Sequence, residues 1–409
     1  MRFRPPRAAA VLDELSHCNK CGFCLPACPT YLATGDEYLS PRGRLSLAEA
    51  AVAGEMPVGE ELARTFALCL GCRACESACP SGVRYGRVYE AVRATLFETT
   101  RRYTAPPAAR ALLALVRRRG RFARAVAAGR RLGWLLPPAA RAVLGAAPPD
   151  PGPPTAPAGT GEPAQYFLGC VGEVVTGSAN RAAVALLARA GYGVGVPDGQ
   201  GCCGALHAHA GDLEAARDLA RANVAAFEGT SGPVVNHAGG CGAFLKEYGH
   251  LLADDPAWRE RAAAFAGRVR DLAEALAGAP RPLRWRGRGD RVALQNSCHL
   301  VHVQRIGELP GRLLAEVPED RLVPWEGGDR CCGSAGLYSL LEPEMAARVA
   351  ARSLEGLYRA KPTVLVVNNP GCALQWRKTL KQAGWDLPVR SLSEHLLARL
   401  ASDGPESGP

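Results

Sequence analysis

No window of this chain supplies the roughly 20 predominantly apolar residues that a membrane-spanning helix needs, so a role at a membrane would have to be played from its surface or through a partner. The N-terminus, MRFRPPRAAAVLDELSHC, is basic, but Asp13 and Glu14 cut its apolar run too early for the core of a secretory signal. Also missing are a GxGxxG turn opening a helix after a strand, a GxxxxGK[ST] phosphate loop and a GxSxG elbow. GYGVGVPDGQG, from Gly191 to Gly201, has the glycines, but sits where a helix end leads into a strand. Nucleotide and esterase chemistry therefore have no motif to rest on. A further absence is local. Between Arg101 and Pro149 there is neither a lysine nor an acid, only eleven arginines, which account for the whole net charge of +10. The basic character belongs to one segment, and nucleic-acid binding by the whole protein is not implied.

What the chain has is cysteine. Sixteen in 409 residues, clustered in tight motifs, read as metal ligands in a reducing compartment rather than as a disulfide scaffold, and the protein reads as cytoplasmic. CNKCGFCLPACP, Cys18 to Pro29, is repeated as CLGCRACESACP, Cys69 to Pro80. Both follow CxxCxxCxxxCP, in which three thiolates wrap one iron–sulfur cube and the fourth reaches the cube of the other run. On that crossed pattern Cys18, Cys21, Cys24 and Cys79 hold one [4Fe–4S] cluster, and Cys69, Cys72, Cys75 and Cys28 hold a second. Zinc also takes four thiolates, but its sites usually pair two CxxC knuckles, so the spacing favours clusters. Gly22 and Gly71 relieve crowding beside the cysteines, and His17 either tunes a cluster by hydrogen bonding or is a turn residue.

Helical spacing over Gly43 to Gly54 and Gly86 to Thr99 makes residues 1–100 a two-cluster unit of the α-helical type. Residues 101–147 form an Arg-rich helical connector, readable either as a basic amphipathic surface for anionic lipid or an acidic partner, or as a solvated linker. PPDPGPPTAPAGTGEP, residues 148–163, is a semi-rigid linker, and residues 401–409 a flexible tail.

A second duplication follows, as modules 164–285 and 286–400. YFLGC, GCCG and PVVNHAGGCG in the first return as VALQNSC, CCG and TVLVVNNPGC in the second, each alternating strand and helix. The first module gathers Cys170, Cys202, Cys203 and Cys241, the second Cys298, Cys331, Cys332 and Cys372, all expected at strand ends. Adjacent cysteines chelate one tetrahedral ion poorly but can ligate neighbouring irons of an extended cluster. These eight are candidates for a further iron–sulfur cluster, against buried packing thiols, a vicinal disulfide or a degenerate copy. His207, His209 and His237 accompany the first module and His299 and His302 the second, as polar neighbours, proton carriers or contacts to a quinone or haem. The expected fold is α+β and multidomain: an α-helical ferredoxin-like domain followed by two tandem α/β cysteine-rich modules.

The chain resembles the glycolate oxidase iron–sulfur subunit family. The paired runs carry the likeness, with SPRGR at Ser40 to Arg44, GQGCCGALHAHAG at Gly199 to Gly211, NHAGGCGAFLKEYG at Asn236 to Gly249 and CCGSAGLYSLLEPEMA at Cys331 to Ala346. The resemblance implies a hetero-oligomeric complex whose flavoprotein subunits carry FAD and oxidise glycolate to glyoxylate. The same resemblance implies that this chain relays electrons toward a membrane acceptor, from a peripheral position at the inner face of the cell membrane. Lactate and glycerol 3-phosphate dehydrogenases share the module order. The CCG modules are similar to those of the heterodisulfide reductase B subunit, whose third mark is CxxC. Here Gly242, Ala243 and Phe244 follow Cys241, and Ala373, Leu374 and Gln375 follow Cys372, so that fifth cysteine is missing. A disulfide or heterodisulfide reductase acting at the CCG site is the alternative activity.

Overall fold

The computed structural model describes residues 3–104, 106–147 and 161–401. The expected linker therefore lies mostly outside the described residues, as does all of the expected tail after residue 401. Glu162 and Pro163, read from sequence as the end of the linker, already belong to a strand.

The first hundred residues are helical, with no strand among those described. The helices are α1 (Pro5–Ser16), α2 (Pro29–Thr34), α3 (Pro41–Ala53), α4 (Glu60–Ala67), α5 (Ala74–Ser77) and α6 (Tyr85–Thr104). Helix α3 starts because Ser40 accepts from the Gly43 amide while Pro41 fills the first helical position. Gly43 is required there: a Cβ would lie 2.1 Å from the Glu37 carbonyl oxygen. Leu45, Ala48 and Ala51 of α3 meet Leu62 and Phe66 of α4 and Val88, Val92 and Leu96 of α6 in one core.

The connector is three short helices rather than one amphipathic rod: α7 (Pro107–Val116), α8 (Arg119–Arg131) and α9 (Pro138–Gly145). Val116, Phe122 and Val126 turn inward against Val174, Val175, Cys202 and Leu219 of the first module. Arg110, Arg117, Arg118, Arg119, Arg121, Arg124, Arg130, Arg131 and Arg141 are exposed.

Each module is a four-stranded, wholly parallel sheet. The strands are β1 (Glu162–Tyr166), β2 (Tyr192–Gly195), β3 (Val234–Asn236) and β4 (Val269–Asp271), then β5 (Arg291–Gln295), β6 (Arg321–Leu322), β7 (Val364–Val367) and β8 (Val389–Ser391). The orders are β2-β1-β3-β4 and β6-β5-β7-β8, so the duplication is topological as well as sequential. Both fourth strands run into a helix opened by a capping box, Asp271 with Glu274 and Ser391 with Glu394. The two modules share a core, in which Ala183, Leu186 and Leu187 of one meet Leu313, Leu314 and Leu392 of the other. Backbone bonds also cross between them, from the Gly239 amide to the Asn368 carbonyl at 3.1 Å.

The strands end earlier than the apolar runs suggest. YFLGC was expected as strand to Cys170, yet β1 ends at Tyr166, and β3 and β7 stop at Asn236 and Val367. The cysteines expected at strand ends sit instead on the helices that follow: Cys170 and Cys298 open short helices, and Cys241 and Cys372 lie in the first turns of Gly239–Lys246 and Pro370–Gln382. A parallel sheet requires this, because its chain must turn out of the sheet into a crossover helix as soon as pairing stops.

Candidate electron-transfer centres

The two CxxCxxCxxxCP runs share a backbone conformation. Lys20 and Gly22 in the first run and Gly71 and Arg73 in the second all have positive φ (56°, 87°, 58° and 60°). These are equivalent positions on either side of the second cysteine. The left-handed turns curl each run back on itself, and each copy places a glycine at only one of the two positions, leaving Lys20 or Arg73 to adopt a conformation that disfavours side chains.

The curl brings sulfurs together across the runs. Cys18, Cys21, Cys24 and Cys79 line one cavity together with Cys75. Burial pushes the Cys72 and Cys75 thiols well up, reinforced for Cys72 by Cys298 of the second module, Cys69 and Cys28, and for Cys75 by Cys72, Cys69 and Cys28. Burial likewise raises Cys24. Cys21 is exposed while Cys28, Cys72 and Cys75 are buried, so the first group faces solvent and the second lies inside. Donors point at the inner group: the Gly71 amide reaches Cys69 Sγ at 3.4 Å and the Tyr85 hydroxyl reaches it at 3.6 Å.

In the modules all four cysteines also converge. Cys170 Sγ is 3.4 Å from Cys202 Sγ, and Cys203 bonds both Cys202 and Cys241. Those two thiols hold Cys203 well below the usual thiol range and are themselves raised. In the second module the contacts run from Cys298 to Cys331 to Cys332 to Cys372, and the first three thiols are raised. None of the sixteen is in a disulfide, so the vicinal disulfide weighed from sequence is not formed. Both sets occupy the crevice where strand order reverses, β1 against β3 and β5 against β7, the place at which open parallel sheets put their sites.

Among the described residues no three Cys, His, Asp or Glu side chains close round a single metal ion. What these sets offer is groups of soft sulfur donors with backbone amides aimed at them, a donor set that fits iron–sulfur clusters.

The histidines divide by role. His237 is buried with Nδ1 2.8 Å from the Tyr166 hydroxyl, and burial holds it down at about 4. His207 is buried beside Asp212. His299 Nε2 meets the Gly71 carbonyl at 2.9 Å and His302 Nδ1 meets Ser77 Oγ at 2.9 Å, so both fasten the second module to the second cysteine run. The His209 and His299 rings stand edge to face at 6.0 Å, and burial lowers His209 to about 3. His17 is exposed at the end of α1. Sequence reasoning missed the docking residues, chiefly Arg73, whose Nη1 is 2.5 Å from Glu247 of the first module, and Tyr338, whose hydroxyl reaches the Leu68 carbonyl at 3.1 Å. The result is an apolar seam in which Leu70 and Cys72 pack with Cys331, Tyr338, Ala346 and Val349, Cys298 lying against them.

A helical unit with two four-cysteine groups, joined through such a seam to two cysteine-rich parallel-sheet modules, defines an iron–sulfur protein. Comparison with known proteins agrees: the 4Fe-4S dicluster domain matches residues 14–83 and the cysteine-rich domain matches 164–246 and 292–377. The "Probable glycolate oxidase iron-sulfur subunit" of Bacillus subtilis (strain 168) is 36% identical over 425 residues, covering 93% of this chain and 92% of that protein. The glycolate oxidase iron-sulfur subunit of Escherichia coli (strain K12) is 33% identical over 386 residues, covering 90% of each. Lactate utilization protein A of Geobacillus thermodenitrificans (strain NG80-2) is 28% identical over 234 residues, 56% of this chain and 96% of that one. The chain belongs to the glycolate oxidase iron–sulfur subunit family.

Proposed function

We propose that this chain is the electron-carrying subunit of a glycolate oxidase complex, with glycolate oxidised to glyoxylate on flavoprotein partners that hold FAD. The observation that carries the reading is the single buried apolar cluster that holds both Cys72 and Cys331, with Cys298 packed against it, and so joins the cysteine groups of the helical unit to those of a module. [4Fe–4S] clusters bound there supply one-electron redox chemistry, whereas a hydroxy acid gives up two electrons, which is why a flavin on a partner is part of the proposal.

In this reading residues 1–100 are a ferredoxin-like domain of the α-helical type, 101–147 a connector, and 164–285 and 286–400 the two modules. Cys18, Cys21, Cys24 and Cys79 hold one cluster, and Cys69, Cys72, Cys75 and Cys28 the other. Cys170, Cys202, Cys203 and Cys241, with Cys298, Cys331, Cys332 and Cys372, remain candidate ligands of a further cluster. The residues that shape the route are those excluding water from it, Leu70, Tyr338 and Val349, and those holding the parts in register, Arg73, His299 and His302.

Delivery to an acceptor at the inner face of the cell membrane is proposed through the connector. Its exposed arginines surround Leu132, Trp134 and Leu135, which are 48%, 70% and 61% exposed, a combination suited to an anionic lipid surface. No helix among the described residues is long and apolar enough to cross a membrane.

The test is reduction by glycolate. In the complex purified with its partners, glycolate should produce the paramagnetic signals of reduced clusters, and the isolated chain should give none. Thiol or disulfide turnover by the isolated chain, lost in Cys202→Ser or Cys203→Ser, would replace this reading with the reductase alternative.

A further inference from the structure

Arg44 is a charged side chain with no route to water, 1% exposed at the base of the helical unit. Its Nε donates to the Thr65 carbonyl at 2.9 Å and its Nη1 to the Leu39 carbonyl at 2.7 Å. Nη1 and Nη2 both reach Thr30 Oγ1 at 3.3 Å. Every one of these partners is a neutral oxygen. A guanidinium buried this way is costly unless an anion lies near. The sulfur within reach is Cys28 of the inner set, whose Sγ lies 3.2 Å from the same Thr30 Oγ1 that both Nη atoms contact.

Thr30 connects the guanidinium to that set. Its hydroxyl has one proton and two acceptors within reach, the Leu39 carbonyl at 2.6 Å and Cys28 Sγ at 3.2 Å. The Thr30 hydroxyl donates to that carbonyl here, and its proton can turn to Cys28 when the sulfur is a thiolate with no proton of its own to give. Guanidinium N–H groups on Thr30 Oγ1 polarise the hydroxyl and strengthen that bond. The outer set has no counterpart. Arg42, the cation beside it, is part-exposed, paired to Glu37 at 2.7 Å and donating to the Lys20 carbonyl at 3.0 Å.

We propose that Arg44, acting through Thr30 on Cys28, makes the inner group of Cys28, Cys69, Cys72 and Cys75 easier to reduce, and so draws electrons inward from the exposed group. The proposal rests on the reading that this group holds a cluster. Reduction there adds one electron and no proton, so the local charge becomes more negative by one. Burial opposes that change. A fixed buried cation and hydrogen bonds to the ligand sulfurs favour it, and both are recognised levers on cluster potential.

The experiment is a redox titration followed by electron paramagnetic resonance on the full chain, comparing wild type with Arg44→Gln, Arg44→Lys and Thr30→Val. Arg44→Gln should shift the midpoint of one cluster to lower potential, the cluster that Cys28→Ser removes, and leave the other in place. Thr30→Val should shift the same midpoint in the same direction by less, and Arg44→Lys should restore most of it. Midpoints unmoved in both Arg44→Gln and Thr30→Val, or moved equally for the two clusters, would overturn the proposal. If Arg44→Gln cannot retain its iron, Thr30→Val decides, since it keeps the cation and an unmoved midpoint counts against the relay. An iron and sulfide count in the wild type too low for two clusters defeats the cluster reading itself, before any variant is compared.

Discussion

Cys72 of the second cysteine run and Cys331 of the second module lie in the same buried apolar cluster, walled by Leu70, Tyr338 and Val349. Two parts of the chain that share no sequence motif thus meet at a sulfur on each side. Among the described residues the first module meets the second run through an ion pair, Arg73 with Glu247, while its Cys202 packs with Val116, Phe122 and Val126 of the connector. The duplicated sites are therefore not equivalent. One faces the helical unit and the other faces the basic cap.

Crossed ligation predicts selective loss. Cys28→Ser should damage the cluster of Cys69, Cys72 and Cys75 while sparing that of Cys18, Cys21 and Cys24, and Cys79→Ser should do the reverse. Electron paramagnetic resonance of the reduced variants separates the two. Loss of the Cys18 cluster in Cys28→Ser would refute the crossing.

Loading of the modules is read by stoichiometry. About eight irons per chain corresponds to two cubes alone, and a clear excess means that a CCG set is occupied. If the excess is real, Cys332→Ser or Cys203→Ser should remove it and leave the two cubes intact.

Attachment through the connector is electrostatic at long range and apolar at contact. Binding of the full chain to vesicles containing anionic lipid should fall as salt rises toward 1 M, where the screening length shrinks to about 3 Å. Trp134→Ser should weaken it at every salt concentration, with no change on purely zwitterionic vesicles. Binding indifferent to both would assign the arginines to solubility.

Acid should destabilise the second module through His395. This residue is fully buried, its Nε2 3.5 Å from Asp320 Oδ2, with Arg399 also bound to Asp320 at 2.8 Å. Burial, with Arg399 adding to it, holds its pKa down at about 4. An unfolded histidine titrates near 6.5. Between those values the unfolded chain binds a proton that the folded chain does not, so stability is full above about pH 6.5 and is lost as pH falls toward 4, by up to about 3 kcal/mol. Denaturant midpoints across that range should show a flatter acid limb for His395→Gln than for wild type. In the same network, Asp320→Asn leaves Arg399 buried without one of its carboxylates, and a loss of about 3–5 kcal/mol is expected at neutral pH.

The cysteine frames were legible because thiolate spacing is set by the cluster and not by the surrounding fold. Cys18 through Cys79 and the two CCG sets could be written down, with their duplication, from sequence alone. The strands were legible as apolar runs but not their ends, since the cysteines that seemed to close them open the next helices. The connector read as one basic segment because arginine masks the inward spacing of Val116, Phe122 and Val126. Arg44 stood in plain view within SPRGR. Nothing in a sequence says that an arginine will be sealed from water, because its burial is made by Thr30, Leu39 and Thr65, each from a different stretch of chain.

The left-handed backbone around the second cysteine of each run bears on how freely the two runs can vary. Glycine removes the steric penalty at Gly22 in one copy and at Gly71 in the other, while Lys20 and Arg73 tolerate it. Arg73 is also bound to Glu76 and Glu247, so its position is held by contacts that a glycine would forfeit. The Lys20 side chain pairs with exposed Glu49. The two copies are thus not interchangeable modules: transplanting the first run into the second position would place Gly22 where Arg73 fastens the helical unit to the first module, and a swap that kept every cysteine would still loosen the joint.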